Sequence, residues 1–89
     1  MVSESPTPEI HVSWRALDSL APGQQGAVVA LRGPEAVTTK LAEAGFVPGA
    51  LITLVRRAPL GSPLEVAVDG ARFTLRAEDA SAVLLHDAR

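Results

Sequence analysis

The 89-residue chain has no cysteine, and its aromatic side chains are limited to Trp14, Phe46 and Phe73. Without cysteine there is no disulfide framework, no thiolate nucleophile and no cysteine-based zinc or iron–sulfur site, a composition that suits a reducing compartment. No segment approaches the ~20 apolar residues of a membrane span. The opening "MVSESPTPEIHVSW" lacks the basic stretch and apolar core of a signal peptide, so a cytosolic protein is expected. Eight basic residues face ten acidic ones, for a net charge of −2, which opposes a general attraction to phosphate backbones.

What is present is aliphatic. Apolar residues make up 47% of the chain, so Val, Leu, Ile and Ala must fill a small interior, as in a compact β-rich module. Residues 1–10, rich in Ser, Glu and Pro, are expected to form a flexible tail ahead of a single domain over 11–89. Pro22-Gly23 and Gly26 mark a turn, after which Ala27 to Leu31 reads as a buried strand. In "RGPEAVTTKLAEAGF", Pro34 suits the first helical position and Glu35 the positive end of the helix dipole. Val37, Leu41 and Ala44 share one face of a helix over 34–45, and Gly45 suits the left-handed stop, with Phe46 folding back on Leu41. Pro48-Gly49 forms a type II turn into the strand 50–57, where Ile52 and Leu54 face one side.

Prolines 59 and 63 make "APLGSP" an exposed loop. "LEVAVDGARFTLR" reads as a hairpin closed by Asp69-Gly70, "AEDASA" as one helical turn, and "VLLHD" as a closing strand that pairs back to the start. The expected fold is mainly β: a small SH3-like barrel of about five strands, with one helix inserted after the first strand and a short helical turn before the last.

Candidate functional residues are few. The serines lack a nucleophile elbow, so no catalytic residue is assigned. His11 and His86, with Glu9 and Asp87, could donate to a metal, but no ligand spacing supports this, and neither metal nor cofactor is assigned. Arg56 and Arg57, with Arg72 and Arg76 on the hairpin, could form a basic patch, although outward charges on short strands also discourage edge pairing. Leu60, at the tip of "APLGSP", either inserts into a partner's pocket or folds under the barrel.

The order and spacing of "LDSLAPGQQGAVVAL" and "KLAEAGFVPGALITLVRRAPLGSPLEVAVDGARFTLRAEDA", spanning residues 17 to about 85, resemble the FeoA domain of bacterial ferrous iron transport. That resemblance implies an SH3-like barrel and a non-enzymatic cytoplasmic accessory of Fe(II) uptake, recruited to the inner face of the cytoplasmic membrane without inserting into it. The implied partner is the FeoB ferrous iron permease, contacted at its cytosolic G-protein region. Family members often carry arginine before the helix leucine, whereas this chain has Lys40 in "TTKL"; lysine offers a point charge instead of a bidentate fork. Lys40, Arg56, Arg57 and Leu60 are the partner-binding candidates. Gly45, Pro48, Gly49, Asp69 and Gly70 are structural turns. Nucleic acid is not an expected partner, and self-association is left open. The alternative readings are an SH3-like nucleic-acid-binding module and a metal-responsive domain related to repressor C-terminal domains. No helix-turn-helix segment precedes the domain in these residues, which argues against a complete repressor.

Overall fold

The computed structural model describes residues 14–87; the expected tail over 1–10, Glu9 and His11 lie outside them. The elements are β1 (Trp14–Ala16), a 3-10 turn (Leu17–Ser19), β2 (Gln25–Leu31), α1 (Glu35–Ala44), β3 (Leu51–Arg57), β4 (Leu64–Val68), β5 (Ala71–Leu75), α2 (Ala77–Ala80) and β6 (Val83–Asp87). They form one six-stranded antiparallel sheet in the order β1-β6-β2-β3-β4-β5. The expected SH3-like barrel is present, with one strand more than anticipated. The addition is β1, whose three residues are too short for alternation to reveal and which exists by pairing with β6. As expected, the closing strand β6 returns to the start of the chain, between β1 and β2.

The punctuation of the sequence acts largely as its chemistry predicts. At the end of α1, Gly45 adopts φ 110°. Its N–H donates to the Ala42 carbonyl and that of Phe46 donates to the Leu41 carbonyl, the paired bonds of a Schellman stop, with Leu41 and Phe46 both buried. Val47 to Ala50 closes a type II turn, with Gly49 at φ 92° and the Ala50 N–H donating to the Val47 carbonyl at 2.9 Å. Asp69 (φ 50°) and Gly70 (φ 83°) make the two-residue mirror-type turn joining β4 to β5. Pro34 sits one residue earlier than expected, in the extended N-cap position, and its carbonyl accepts from the Val37 and Thr38 N–H groups. Ala44 is exposed instead of sharing the buried face of Leu41.

Gly26 departs from its expected role. It lies inside β2, buried, with neighbours on both sides: β6 through Asp87 and β3 through Ile52. A Cβ at this position would stand 2.8 Å from Leu85 Cβ and 3.0 Å from the His86 carbonyl oxygen. The glycine therefore permits close approach of β2 to β6 and does not make a turn.

The core is wholly apolar. Leu64, Val66 and Val68 of β4 alternate into it and meet Ile52, Leu54, Val83 and Leu85, with no buried polar or charged residue among the described ones. Phe46 packs on Phe73 with ring centroids 5.7 Å apart and planes tilted by 60°, a geometry that aromatic quadrupoles favour. Irregularities in the ladder, between Val28 and Ala30 in β2 and between Leu54 and Arg56 in β3, bend the sheet around this core.

The β3 bulge also separates two neighbouring arginines. Before it, Leu54 opposes Val66; after it, Arg56 opposes Glu65 and Arg57 opposes the buried Leu64. Arg56 thus points outward. Arg57 reaches the end of the barrel, where its Nη2 donates to the Asp18 and Leu20 carbonyls, both at 2.8 Å, and Nη1 makes a longer contact with the Gly61 carbonyl at 3.5 Å. Among the described residues, no helix is long and apolar enough to cross a membrane.

Three substitutions test these packing arguments by urea unfolding. Gly26→Ala should destabilise the domain by about 1–3 kcal/mol, since the added methyl forces β2 and β6 apart. Arg57→Ala should cost about 2 kcal/mol through the loss of charge-assisted bonds to two carbonyls. Arg56→Ala should stay within about 0.5 kcal/mol, because its ion pair is solvent-exposed.

Candidate interaction surface

The loop that follows β3 is held in shape from within. The Ala58 N–H donates to the Pro63 carbonyl at 3.0 Å and the Gly61 N–H to the Ala58 carbonyl at 2.8 Å. Gly61 takes φ 92°, and the Ser62–Pro63 peptide is cis. Ser62 Oγ accepts the Ala77 N–H at 3.0 Å, tying the loop to the start of α2. At its tip Leu60 is 96% exposed. Of the two positions open to it, the structure shows the presented one.

Lys40 stands exposed on α1 beside a groove of ≈ 530 Å³ between that helix and β5. Phe73 and Leu75 contribute apolar surface to the groove over the buried Phe46, and Arg76 and Asp79 border it. The sequence showed the alternation of Phe73 and Leu75 in the hairpin. It gave no signal that α1 would lie alongside β5, because that placement depends on the long-range packing of Leu41 and Phe46.

The four arginines proposed as a patch do not form a single one. Arg56 and Arg72 converge on Glu65, Nε to Oε1 at 3.4 Å and Nη1 to Oε2 at 2.8 Å respectively. Arg76 pairs with Glu78 at 3.7 Å, and Arg57 is occupied by the carbonyls already described.

The polar side chains that could carry other chemistry are similarly dispersed. Ser19 accepts from Arg15 Nε and donates to the Ala16 carbonyl, while Ser81 donates to the Glu78 carbonyl. His86 is exposed on β6, which is paired on both sides and is not an edge strand. Its neighbour Asp87 faces Arg15 at 3.7 Å. Among the described residues, no group of three or more His, Asp or Glu side chains is placed to hold a metal ion. What the surface offers is contact: an apolar tip, an apolar groove and separated charges around them.

Comparison with known proteins bears on this arrangement. Among curated proteins, none matches the sequence significantly. The solution structure of a FeoA protein from Chlorobium tepidum is similar, with 32% identity and a TM-score of 0.78 over 83% of this chain and 70% of that one. A Stenotrophomonas maltophilia FeoA crystallised with zinc shares 31% identity and a TM-score of 0.70, covering 79% of this chain and 87% of its own. That protein is described as a prokaryotic SH3-domain protein and a candidate activating factor of bacterial ferrous iron transport. A manganese-dependent transcriptional repressor in complex with manganese has the same fold, with a TM-score of 0.80 at 22% identity, over 93% of this chain but 39% of that one. The FeoA domain model matches residues 15–86, from within β1 to within β6, and the chain belongs to the FeoA family.

Proposed function

We propose that this protein is a non-enzymatic accessory of bacterial Fe(II) uptake that acts by contact with a FeoB-like ferrous iron permease, at the permease's cytosolic G-protein region. The observation that carries the reading is Leu60, a large apolar side chain exposed on a loop braced by its own hydrogen bonds and by α2. A braced anchor loses little conformational freedom on docking, so more of the free energy of its burial is available for association. Arg56 lies on the strand leading into that loop and Lys40 on α1. In this reading they border the contact as charges that orient the partner. Arg57 contributes by holding the base of the loop. Membership of the FeoA family and the role described for the S. maltophilia relative support the setting in iron transport. The distribution of arginines over separate surfaces favours a protein contact over a nucleic-acid track.

The test is calorimetry with the purified G-protein domain of the cognate permease, with and without a GTP analogue and Fe(II). Saturable association is expected. Leu60→Asp should weaken it at least tenfold, about 1.4 kcal/mol or more, and leave the melting temperature of the isolated domain unchanged, since Leu60 is outside the core. Equal affinity of the variant, or its unfolding in isolation, would reject Leu60 as the anchor.

A further inference from the structure

Among the described residues, β5 ends the sheet, with β4 on one side and no strand on the other. The two-residue turn at Asp69-Gly70 fixes which of its backbone groups are free. In such a hairpin the residues flanking the turn exchange both hydrogen bonds, and bonded pairs then recur at every second position. Val68–Ala71, Val66–Phe73 and Leu64–Leu75 are therefore the bonded pairs, and the N–H and carbonyl groups of Arg72 and Thr74 point away from β4 along the open edge. The side chains alternate. Phe73 and Leu75 line the groove beside α1, whereas Arg72 bonds Glu65 and Thr74 is paired opposite Glu65, at the border of the groove.

We propose that this edge receives an extended peptide segment in which acidic and apolar residues alternate, added to the sheet as a seventh strand. Main-chain bonds to Arg72 and Thr74 would hold it, its apolar side chains would lie over Phe73 and Leu75, and its carboxylates would face Arg72 and Arg76. Strand addition of this kind draws affinity from the backbone and selectivity from alternate side chains.

Charge decides the occupant. Glu65 is shared by Arg56 and Arg72, so that cluster carries one uncompensated positive charge. The groove beside it adds no net charge, since it is lined by Lys40, Arg76 and Asp79 and Arg76 is paired with Glu78, so the uncompensated cation is that of the cluster on Arg72. The edge is thus locally positive on a chain whose net charge is −2. Arginines on an edge strand also guard against self-pairing. Here a second copy paired along this edge would bring its own Arg72 to the same cationic surface, which opposes a homodimer while leaving an acidic strand free to bind. The other end strand, β1, is only three residues long. This inference does not depend on the identity of the permease contact, which is assigned to Leu60.

The experiment is titration of the full chain, labelled with nitrogen-15, with two capped heptapeptides, one alternating valine with glutamate and the other valine with lysine. With the glutamate peptide, amide exchange at Arg72 and Thr74 should slow at least tenfold, while Val66 and Val68, already in the ladder, stay unchanged. The lysine peptide should bind at least tenfold more weakly. Thr74→Pro removes one outward N–H without touching the bonds to β4 and should abolish the protection. Should that variant fail to fold, Arg76→Glu supplies the same test by reducing the preference for glutamate over lysine. Unaltered exchange at Arg72 and Thr74, equal affinity for both peptides, or protection that arises without peptide from a dimer seen by sedimentation would overturn the proposal.

Discussion

The one-residue bulge in β3 between Leu54 and Arg56 is the constraint on which much of the molecule depends. A strand of strict alternation that buried Ile52 and Leu54 would also drive Arg56 toward an interior that contains no polar partner. The extra residue reverses the sense of the strand. Arg56 turns out to Glu65, and Arg57 turns toward the barrel end, where main-chain carbonyls of the 3-10 turn region receive its guanidinium. The same irregularity bends the sheet, so the curvature of the barrel and the placement of its arginines have one cause.

The rest of the core follows from scarcity. With few aromatic residues to fill space, the interior is built of aliphatic chains packed between closely spaced strands. Gly26 sets that spacing between β2 and β6, since even a methyl group there would meet Leu85 and the His86 carbonyl. The Phe46–Phe73 pair then joins the end of α1 to the last strand of the hairpin. By drawing the helix alongside β5, it creates the apolar groove whose borders carry Lys40 and Arg76.

The contacts proposed for this fold use two of its surfaces. The loop bearing Leu60 and the open edge of β5 meet near the start of α2, where Ser62 accepts the Ala77 N–H. Each is shaped by backbone bonds made without a partner, and each presents groups that the domain leaves unused: an apolar side chain in one case and main-chain donors and acceptors in the other. The repressor with the same barrel shows that the architecture serves more than one kind of protein, so what distinguishes this chain must lie in what it displays on that architecture.

Local chemistry was legible in the sequence. The stop at Gly45, the turns at Pro48-Gly49 and Asp69-Gly70, the alternation of β4 and the loop marked by Pro59 and Pro63 all rest on φ preferences or on periodicity over a few residues, and those rules act before the chain is folded; which way Leu60 points within that loop was left to the structure. Gly26 was misread because a glycine required for close approach and one required for a turn are the same letter. β1 was missed because three residues carry no period, and the arginines were grouped because adjacency in the chain says nothing of a bulge. The sequence by itself determined where the chain turns, which residues are apolar enough to be buried and which family it belongs to. Only the tertiary structure decided which backbone groups on β5 remain unpaired, that α1 makes a groove with it, and that Arg56 turns to the outer face while Arg57 turns to the end of the barrel. Those outcomes depend on contacts between residues distant in sequence, whose geometry is set by packing the whole sheet at once.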